Sequence, residues 1–273
     1  MSKKLILLDL DGTALNDEKK LTEGNREAID AALAGGHRIV VTTGRPLISA
    51  LTQAKRLGLD GPGSFIVAYN GGVIYDAEKE EIIYQSRISL ETVREVFAEA
   101  AQRGVHIQTY RNETVLTDPE NDDDELRYYC RMIEMQYEII PDIRELAEEP
   151  AKMHSSMLKN AERLIPFRDW INENYTGELD SFLSSPMFLE IVPKGVNKGL
   201  AVRKMSEILS WPVEDMIAVG DQANDIPMIR EAGIGAAMIN GIDAIKAEAD
   251  YITEADNNHD GVAEVIRKFV PGC

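Results

Sequence analysis

Residues 5–16, LILLDLDGTALN, carry four apolar residues straight into Asp9, Leu10, Asp11, Gly12 and Thr13. A short, unbroken apolar run is the pattern of a parallel strand covered on both faces. Side chains alternate along a strand, so Asp9 and Asp11 should point one way and Leu10 the other. Ligands of open α/β sheets bind beyond the carboxyl ends of the strands, which is where this pair stands. Taken alone, a D-x-D pair is also what turns, caps and solvated surfaces produce. An EF-hand loop is excluded, because its spacing wants an acidic or amide residue where Thr13 stands and glycine where Ala14 stands.

Other predicted strands end in the same way. RIVVTTGRP (38–46) runs into Thr42, Thr43, Gly44 and Arg45, and SFIVAYNGG (64–72) into Asn70 and two glycines. DMIAVGDQAND (215–225) ends in Gly220 and Asp221, followed by Asn224 and Asp225, and Lys198 stands at a predicted helix start. Each has a plain alternative: Thr43 a turn residue, Lys198 a surface lysine, Asp225 an N-cap. Together they offer carboxylates, a hydroxyl, a lysine and glycines for close backbone approach. Carboxylate oxygens suit Mg²⁺, which prefers hard ligands and usually keeps waters and substrate phosphate around it. Hydroxyl, lysine and helix N-terminal N–H groups are what a phosphate needs. The set is that of a phosphoryl-transfer site with an acid for a nucleophile.

Strand and helix alternate over the first eighty or so residues and again over the last eighty. Thr22 can cap a helix that buries Ile29, Ala32 and Leu33 and stops at Gly35-Gly36. NKGLAVRKMSEILS (197–210) reads as a helix with Leu200, Met205, Ile208 and Leu209 on one face. DIPMIREAG (225–233) has Pro227 near its start and Gly233 past its end, the usual asymmetry of a helix. GIGAAM, DYIT and GVAEVIRKFV supply further strands and a closing helix. The middle differs: helices at 90–104, 122–135 and 161–175 are interleaved with β-leaning segments HIQTYR and ETVLT, joined by an Asn112-containing turn, then KMHSSML, ELDSFLSS and MFLEIVP. Strand pairs between helices predict an antiparallel α+β layer inserted into an α/β domain. The expected fold is therefore a Rossmann-like parallel-sheet core, residues 1–84 and 189–273, with an inserted α+β cap domain at 85–188. DPENDDDE (118–125) reads as a solvated acidic loop and helix start.

Composition narrows the function. The net charge of −18 argues against a nucleic-acid binder and makes anionic membranes poor partners. An anionic substrate needs local positive charge, such as a bound cation, to override that field. Two cysteines, Cys130 and Cys273, cannot form a disulfide framework and read as free thiols of a reducing compartment. No apolar run approaches the ~20 residues of a membrane span, and the four-residue run before Asp9 is too short for a signal peptide. The expectation is a cytoplasmic protein. Oligomeric state leaves no legible trace.

Asp9-x-Asp11-Gly12-Thr13, Thr43-Gly44-Arg45, Lys198 and Gly220-Asp221-x-x-Asn224-Asp225 match, in order, the four motifs of the haloacid dehalogenase superfamily. The chain more closely resembles the Cof-type sugar phosphatases, which carry a large α/β cap between the second and third motifs; YNGG (69–72) and FLEIVPKGVNKG (188–199) also look like that branch. Ala14 departs from the family, which usually has a bulkier apolar residue there. The resemblance implies a Mg²⁺-dependent phosphatase of small phosphorylated metabolites, foremost sugar phosphates. Asp9 would form an aspartyl-phosphate, and Asp11 would protonate the leaving alcohol and later deprotonate the attacking water. Mg²⁺ would be held by Asp9, the backbone carbonyl of Asp11 and Asp221, with Asp225 in support. Thr43, Gly44 and Lys198 would bind the phosphoryl group, and Asn224 would join them there and help order the site. Arg45 and Asn70 look placed for the substrate or the cap seam.

The inserted domain is expected to exclude water and choose the leaving group, with Tyr110, Arg111, Tyr128 and His154 as candidates for its inner face. Glu190, just inside the expected returning core strand, reads as structural. His37, His106, His154 and His259 form no ligand spacing. Two alternatives stay open: a phosphomutase using the same aspartyl-phosphate, and a phospho-aspartate receiver domain. A receiver occupies about one small domain and has no inserted cap.

Overall fold

The computed structural model describes residues 2–111 and 114–273, so the turn expected at Asn112 lies outside the described residues. The chain forms two compact units, one of Met1–Gly44, Ala50–Tyr84 and Asn197–Cys273, the other of Arg45–Ser49 and Gln85–Val196. In chain order the strands are β1 (Leu5–Asp9), β2 (Arg38–Thr42), β3 (Ser64–Ala68), β4 (Val73–Asp76), β5 (Glu81–Gln85), β6 (Gln108–Arg111), β7 (Thr114–Thr117), β8 (Gln136–Ile139), β9 (Met153–Ser156), β10 (Leu179–Ser185), β11 (Phe188–Pro193), β12 (Met216–Gly220), β13 (Ile234–Ala237) and β14 (Tyr251–Ile252). The helices are α1 (Glu23–Ala34), α2 (Leu47–Arg56), α3 (Leu90–Arg103), α4 (Asp124–Ile133), α5 (Leu164–Asn174), α6 (Lys198–Leu209), α7 (Ile226–Glu231), α8 (Asp243–Lys246) and α9 (Gly261–Phe269). Among the described residues, no helix is long and apolar enough to cross a membrane.

The first unit is built on an eight-stranded sheet of order β14-β13-β12-β1-β2-β3-β4-β5. β1 is central and parallel to both neighbours, with Leu5 opposite Met216 on one side and Arg38 on the other. Leu5, Leu7, Val40 and Met216 pack with Ala201, Val202 and Met205 of α6 and with Met228 and Ile229 of α7. Ile6 and Leu8, on the alternate face of β1, are equally buried, so both faces of this strand are covered as its unbroken apolar run requires. The sheet also gains β4, antiparallel to β3, and β5, which the sequence pattern did not single out.

Local chemistry fixes the helix ends. The Thr22 hydroxyl caps α1, accepting from the Asn25 N–H, and Gly35 closes it. Asn197 caps α6 through Leu200 N–H at 3.0 Å, which sets Lys198 at the first helical position. The buried stripe of α6 is Lys198, Gly199, Ala201, Val202 and Met205, whereas Ile208, expected on that face, is 41% exposed. The reason is that α6 buries the face with the small residues, which let α7 approach: a Cβ on Gly199 would come within 2.7 Å of the Pro227 carbonyl oxygen.

The second unit carries a six-stranded sheet of order β10-β11-β9-β6-β7-β8, antiparallel as expected except that β8 runs parallel to β7, because the connection between them crosses over through α4. One face buries Ile107, Leu116, Met153, Leu189 and Ile191 against Val96, Phe97 and Ala100 of α3 and Leu164, Phe167 and Ile171 of α5. Gln108, His154 and Glu190 lie opposite one another in register and alternate with Thr109, Met153 and Ile191, so they occupy the other face. There Tyr129 of α4 lies 4.1 Å, centroid to centroid, from the His154 ring. The acidic run 118–125 caps as well as solvates: Asp123 accepts from Leu126 N–H at 3.0 Å at the start of α4 and pairs with His106.

Two boundaries differ from the sequence expectation, the first at Arg45–Ser49, which group with the second unit although they lie inside the expected core segment 1–84. At the second, the core was expected to resume at 189, with Glu190 on a core strand. β11 instead lies between β10 and β9 of the second sheet, and the second unit continues to Val196. Leu189, Ile191 and Val192 are fully buried, and such a run reads alike whichever sheet it joins.

Candidate active site

Asp9 is the last residue of β1, opposite Thr42 of β2, and is 7% exposed. Because the strand stops there, Asp11 is not held by strand alternation, as the sequence pattern suggested. It sits in the turn that follows, where Leu15 N–H bonds the Leu10 carbonyl at 2.8 Å and Asp11 bridges to Leu15. Its half-exposed carboxylate pairs with Lys19 at 2.8 Å.

The carboxylates of Asp9, Asp221 and Asp225, all buried, each place an oxygen within 4.8 Å of the others. Lys198 reaches into this group, with Nζ 2.5 Å from Asp9 Oδ1 and in contact with Asp225 Oδ1. The other Asp225 oxygen accepts from the Asp221 and Gln222 N–H groups, both at 3.0 Å. Asp221 Oδ1 accepts from the Thr13 hydroxyl at 2.9 Å, and its Oδ2 from Gln222 Nε2 at 3.1 Å. Two glycines make this packing possible. Gly12, at φ +82°, would drive a Cβ to 2.5 Å from Asp221 Oδ2, and a Cβ on Gly220 would lie 2.5 Å from that of Asp225.

Charge is unbalanced here, with one ammonium facing three carboxylates. Burial raises the Asp9 pKa well above the carboxylate range; Lys198 opposes this, and Asp225 and Asp221 reinforce it. Burial raises Asp221 too, against its bond from Thr13. Burial works against the charge of Lys198, but Asp225 and Asp9 outweigh it and hold the ammonium above its ordinary pKa. Converging hard oxygen donors with surplus negative charge fit a divalent cation, and oxygen-only ligation suits a hard one.

Thr43 and Asn70 complete the rim of the first unit. Thr43 is buried; its N–H donates to the Val67 carbonyl at 2.9 Å, and its carbonyl accepts from Asn70 N–H at 3.0 Å. Asn70 adopts the left-handed conformation, at φ 55° and ψ 33°, which asparagine tolerates better than most residues. Its Oδ1 accepts from Asn224 Nδ2 at 3.2 Å, joining two of the expected site residues. Gly44 abuts the Asn70 amide, where a Cβ would meet Oδ1 at 3.0 Å. Arg45 groups with the second unit. Gln222, and the role of Thr13 as a donor to Asp221, escaped the sequence reading, although both lie inside quoted motifs.

In the second unit, Tyr110 is buried with its hydroxyl 2.7 Å from that of Tyr129. His154 is fully buried, and burial, then Lys152 and His106, lower its pKa well below the usual histidine value. Glu190 forms a buried ion pair with Lys152 and accepts from the Ser184 hydroxyl at 2.8 Å. Arg111 pairs with Glu138 at 2.5 Å, and Tyr128 is exposed.

Residues 6–266 match the family model of the haloacid dehalogenase-like hydrolases. A Bacillus subtilis 5-amino-6-(5-phospho-D-ribitylamino)uracil phosphatase, YcsE, is 34% identical, the match covering 98% of this chain and 96% of that one. A haloacid dehalogenase-like hydrolase from Bacteroides thetaiotaomicron has a crystal structure that superposes with a TM-score of 0.88 at 34% identity, covering 98% and 99% of the two chains. The sugar phosphatase BT4131 shares the fold, with a TM-score of 0.79 at 23% identity over 98% of this chain and 99% of its own.

Proposed function

This chain belongs to the haloacid dehalogenase-like hydrolases and is a phosphatase, and on that premise we propose that it hydrolyses sugar phosphates with Mg²⁺ through an aspartyl-phosphate on Asp9. The observation that carries the reading is the buried meeting of Asp9, Asp221, Asp225 and Lys198 at the carboxyl end of the central strand. The similarity to a phosphatase of a phosphorylated ribityl compound supports a polyol or sugar leaving group.

Asp9, Asp221 and the Asp11 carbonyl, with Asp225 in support, would hold the Mg²⁺, which when bound supplies the positive charge a phosphate dianion needs beside a carboxylate. An Asp9 oxygen attacks phosphorus, and the bond from phosphorus to the sugar oxygen breaks. Asp11 gives its proton to that oxygen, so the sugar leaves as an alcohol. Asp11 then takes a proton from water as the water oxygen attacks the aspartyl-phosphate, which frees inorganic phosphate and restores Asp9. Thr43 and Lys198 hold phosphoryl oxygens, and the Asn70–Asn224 pair orders the rim beside them. Phosphate-monoester hydrolysis can require accelerations up to ~10²¹-fold. A general acid contributes only ~10²–10⁴, so the nucleophile, cation and lysine must act together.

The test is inorganic phosphate release from a panel of sugar phosphates, with Mg²⁺ or with chelator, for the native chain and Asp9→Asn. Mg²⁺-dependent release that disappears in Asp9→Asn is expected. Release that survives that substitution removes Asp9 as the nucleophile, and release that survives chelation removes the metal.

A further inference from the structure

Two asparagines in the loops after β13 and β14 take no part in the chemistry above, yet both grip the turn that carries Asp11. Asn240 donates from Nδ2 to the Gly12 carbonyl at 2.8 Å and accepts at Oδ1 from the Asn257 N–H at 3.2 Å. Asn257, 5% exposed, donates from Nδ2 to the Leu15 carbonyl at 3.0 Å and to Asp17 Oδ1 at 3.3 Å. Carbonyl acceptors fix the orientation of both amides, since only the NH₂ can donate. The next residue acts on the same segment, with Asn258 Oδ1 accepting from Asp17 N–H at 3.1 Å.

The gripped carbonyls flank Asp11: Gly12 follows it directly, and Leu15 is its partner in the isolated bridge. Among the described residues no strand ladder extends past Asp9 to hold this turn, and Gly12 at φ +82° leaves its backbone permissive. The other end of the clamp is anchored beside the acid cluster. Ile242 N–H bonds the Asp221 carbonyl and Met238 N–H the Gly220 carbonyl, both at 3.0 Å. Asn240 therefore ties the Asp11 turn to the loop that carries Asp221. Burying an amide such as Asn257 is costly unless its hydrogen bonds are made, and here they are made to this turn.

We propose that Asn257, assisted by Asn240, is a positioning residue that fixes the Asp11 turn, so that the Asp11 carboxyl meets the leaving oxygen. This rests on the phosphatase reading, with Asp11 as the acid. A good leaving group departs without a proton and a poor one does not, so a misplaced acid is felt by the poor one.

The experiment compares kcat for phenyl phosphate and 2,4-dinitrophenyl phosphate in the native chain, Asn257→Asp and Asn240→Ala. Asn257→Asp keeps the shape, removes the amide donor and sets a carboxylate against the Leu15 carbonyl and Asp17, so the grip becomes a repulsion. Its ratio of phenyl to dinitrophenyl turnover is expected to fall about ten-fold or more, a fraction of what a general acid supplies. Asn240 is exposed, so Asn240→Ala spares the core and should lower the same ratio by less. Equal losses on both esters, leaving the ratio where it was, would reduce the asparagines to fold stabilisers and overturn the proposal. If Asn257→Asp does not fold, the Asn240→Ala ratio decides alone, and an unmoved ratio overturns it. A native chain that releases phosphate from neither ester nor any sugar phosphate of the panel defeats the reading of Asp11 as the acid of a phosphatase, and the clamp falls with it.

Discussion

Lys198 and Asp9, 189 positions apart in sequence, meet with Nζ 2.5 Å from Oδ1 and both side chains buried. The same ammonium contacts Asp225, so one buried cation serves two carboxylates. Removing one partner of such a buried group leaves uncompensated charge, at a cost of about 3–5 kcal/mol. Lys198→Met should therefore destabilise the metal-free protein by about that amount in urea unfolding with chelator. A second change, Asp225→Asn, should return part of the loss. A midpoint that does not move in Lys198→Met would show that the ammonium does not hold the site together.

The raised pKa of Asp9 gives stability a definite slope with pH. Burial is the main cause, opposed by Lys198 and reinforced by Asp225 and Asp221. A carboxyl that binds its proton more tightly when folded contributes stability in full below its unfolded pKa of about 3.9. That contribution is lost as pH rises through the folded value. In chelator, the native chain should thus lose stability relative to Asp9→Asn from about pH 4 upward, since asparagine has no proton to release. Urea midpoints for the two proteins across that range are the check; parallel curves would contradict it.

Thr13 supports Asp221 from outside any ligand set, donating its hydroxyl to Oδ1 at 2.9 Å. Partners that orient a metal ligand typically carry about 10–100-fold of metal affinity. Thr13→Val keeps the shape and removes the donor. Its Mg²⁺ affinity, read by titration calorimetry, should fall within about that range, and Thr13→Ser should recover most of it. Native-like affinity in Thr13→Val would mean that Asp221 orients itself.

The Lys152–Glu190 pair offers a parallel case in the second unit, where the Ser184 hydroxyl is a further donor to Glu190. Lys152→Met strands that carboxylate and should cost about 3–5 kcal/mol, whereas the double change Lys152→Met with Glu190→Leu should recover more than half. Unfolding of the three variants separates the outcomes. A double variant no better than the single one would tie the pair to more than charge balance.

The candidate site was legible because its residues stand at or just beyond strand ends, where an apolar run stops at a carboxylate or hydroxyl. Asp9, Thr43, Asp221 and Asp225 carry that signal, and Lys198 carries it at a helix start. What the sequence hid depended on partners far along the chain. β11 looks like a core strand until its neighbours β9 and β10 are known. β8 is exposed at three of its four positions, so it had no apolar alternation to reveal it. Asp11 read as a strand residue because the pattern does not mark where β1 ends. Asn240 and Asn257 sit in polar loops whose composition matches any solvated turn; only their acceptors, Gly12 and Leu15, distinguish them.

The central place of β1 also dictates an order of assembly. The chain emerges from the ribosome N-terminal end first, yet β1 borders β12, whose register sets Leu5 opposite Met216. Until that distant strand is made, one edge of β1 has no partner, and an open apolar edge invites pairing with other chains. The six strands of the second sheet, by contrast, fall within one continuous stretch from Gln108 to Pro193. Translation thus completes that sheet while the strand that carries Asp9 still waits for its second neighbour. Such long-range pairing slows folding, so the first eighty residues keep an unpaired strand edge for longer than the second sheet does.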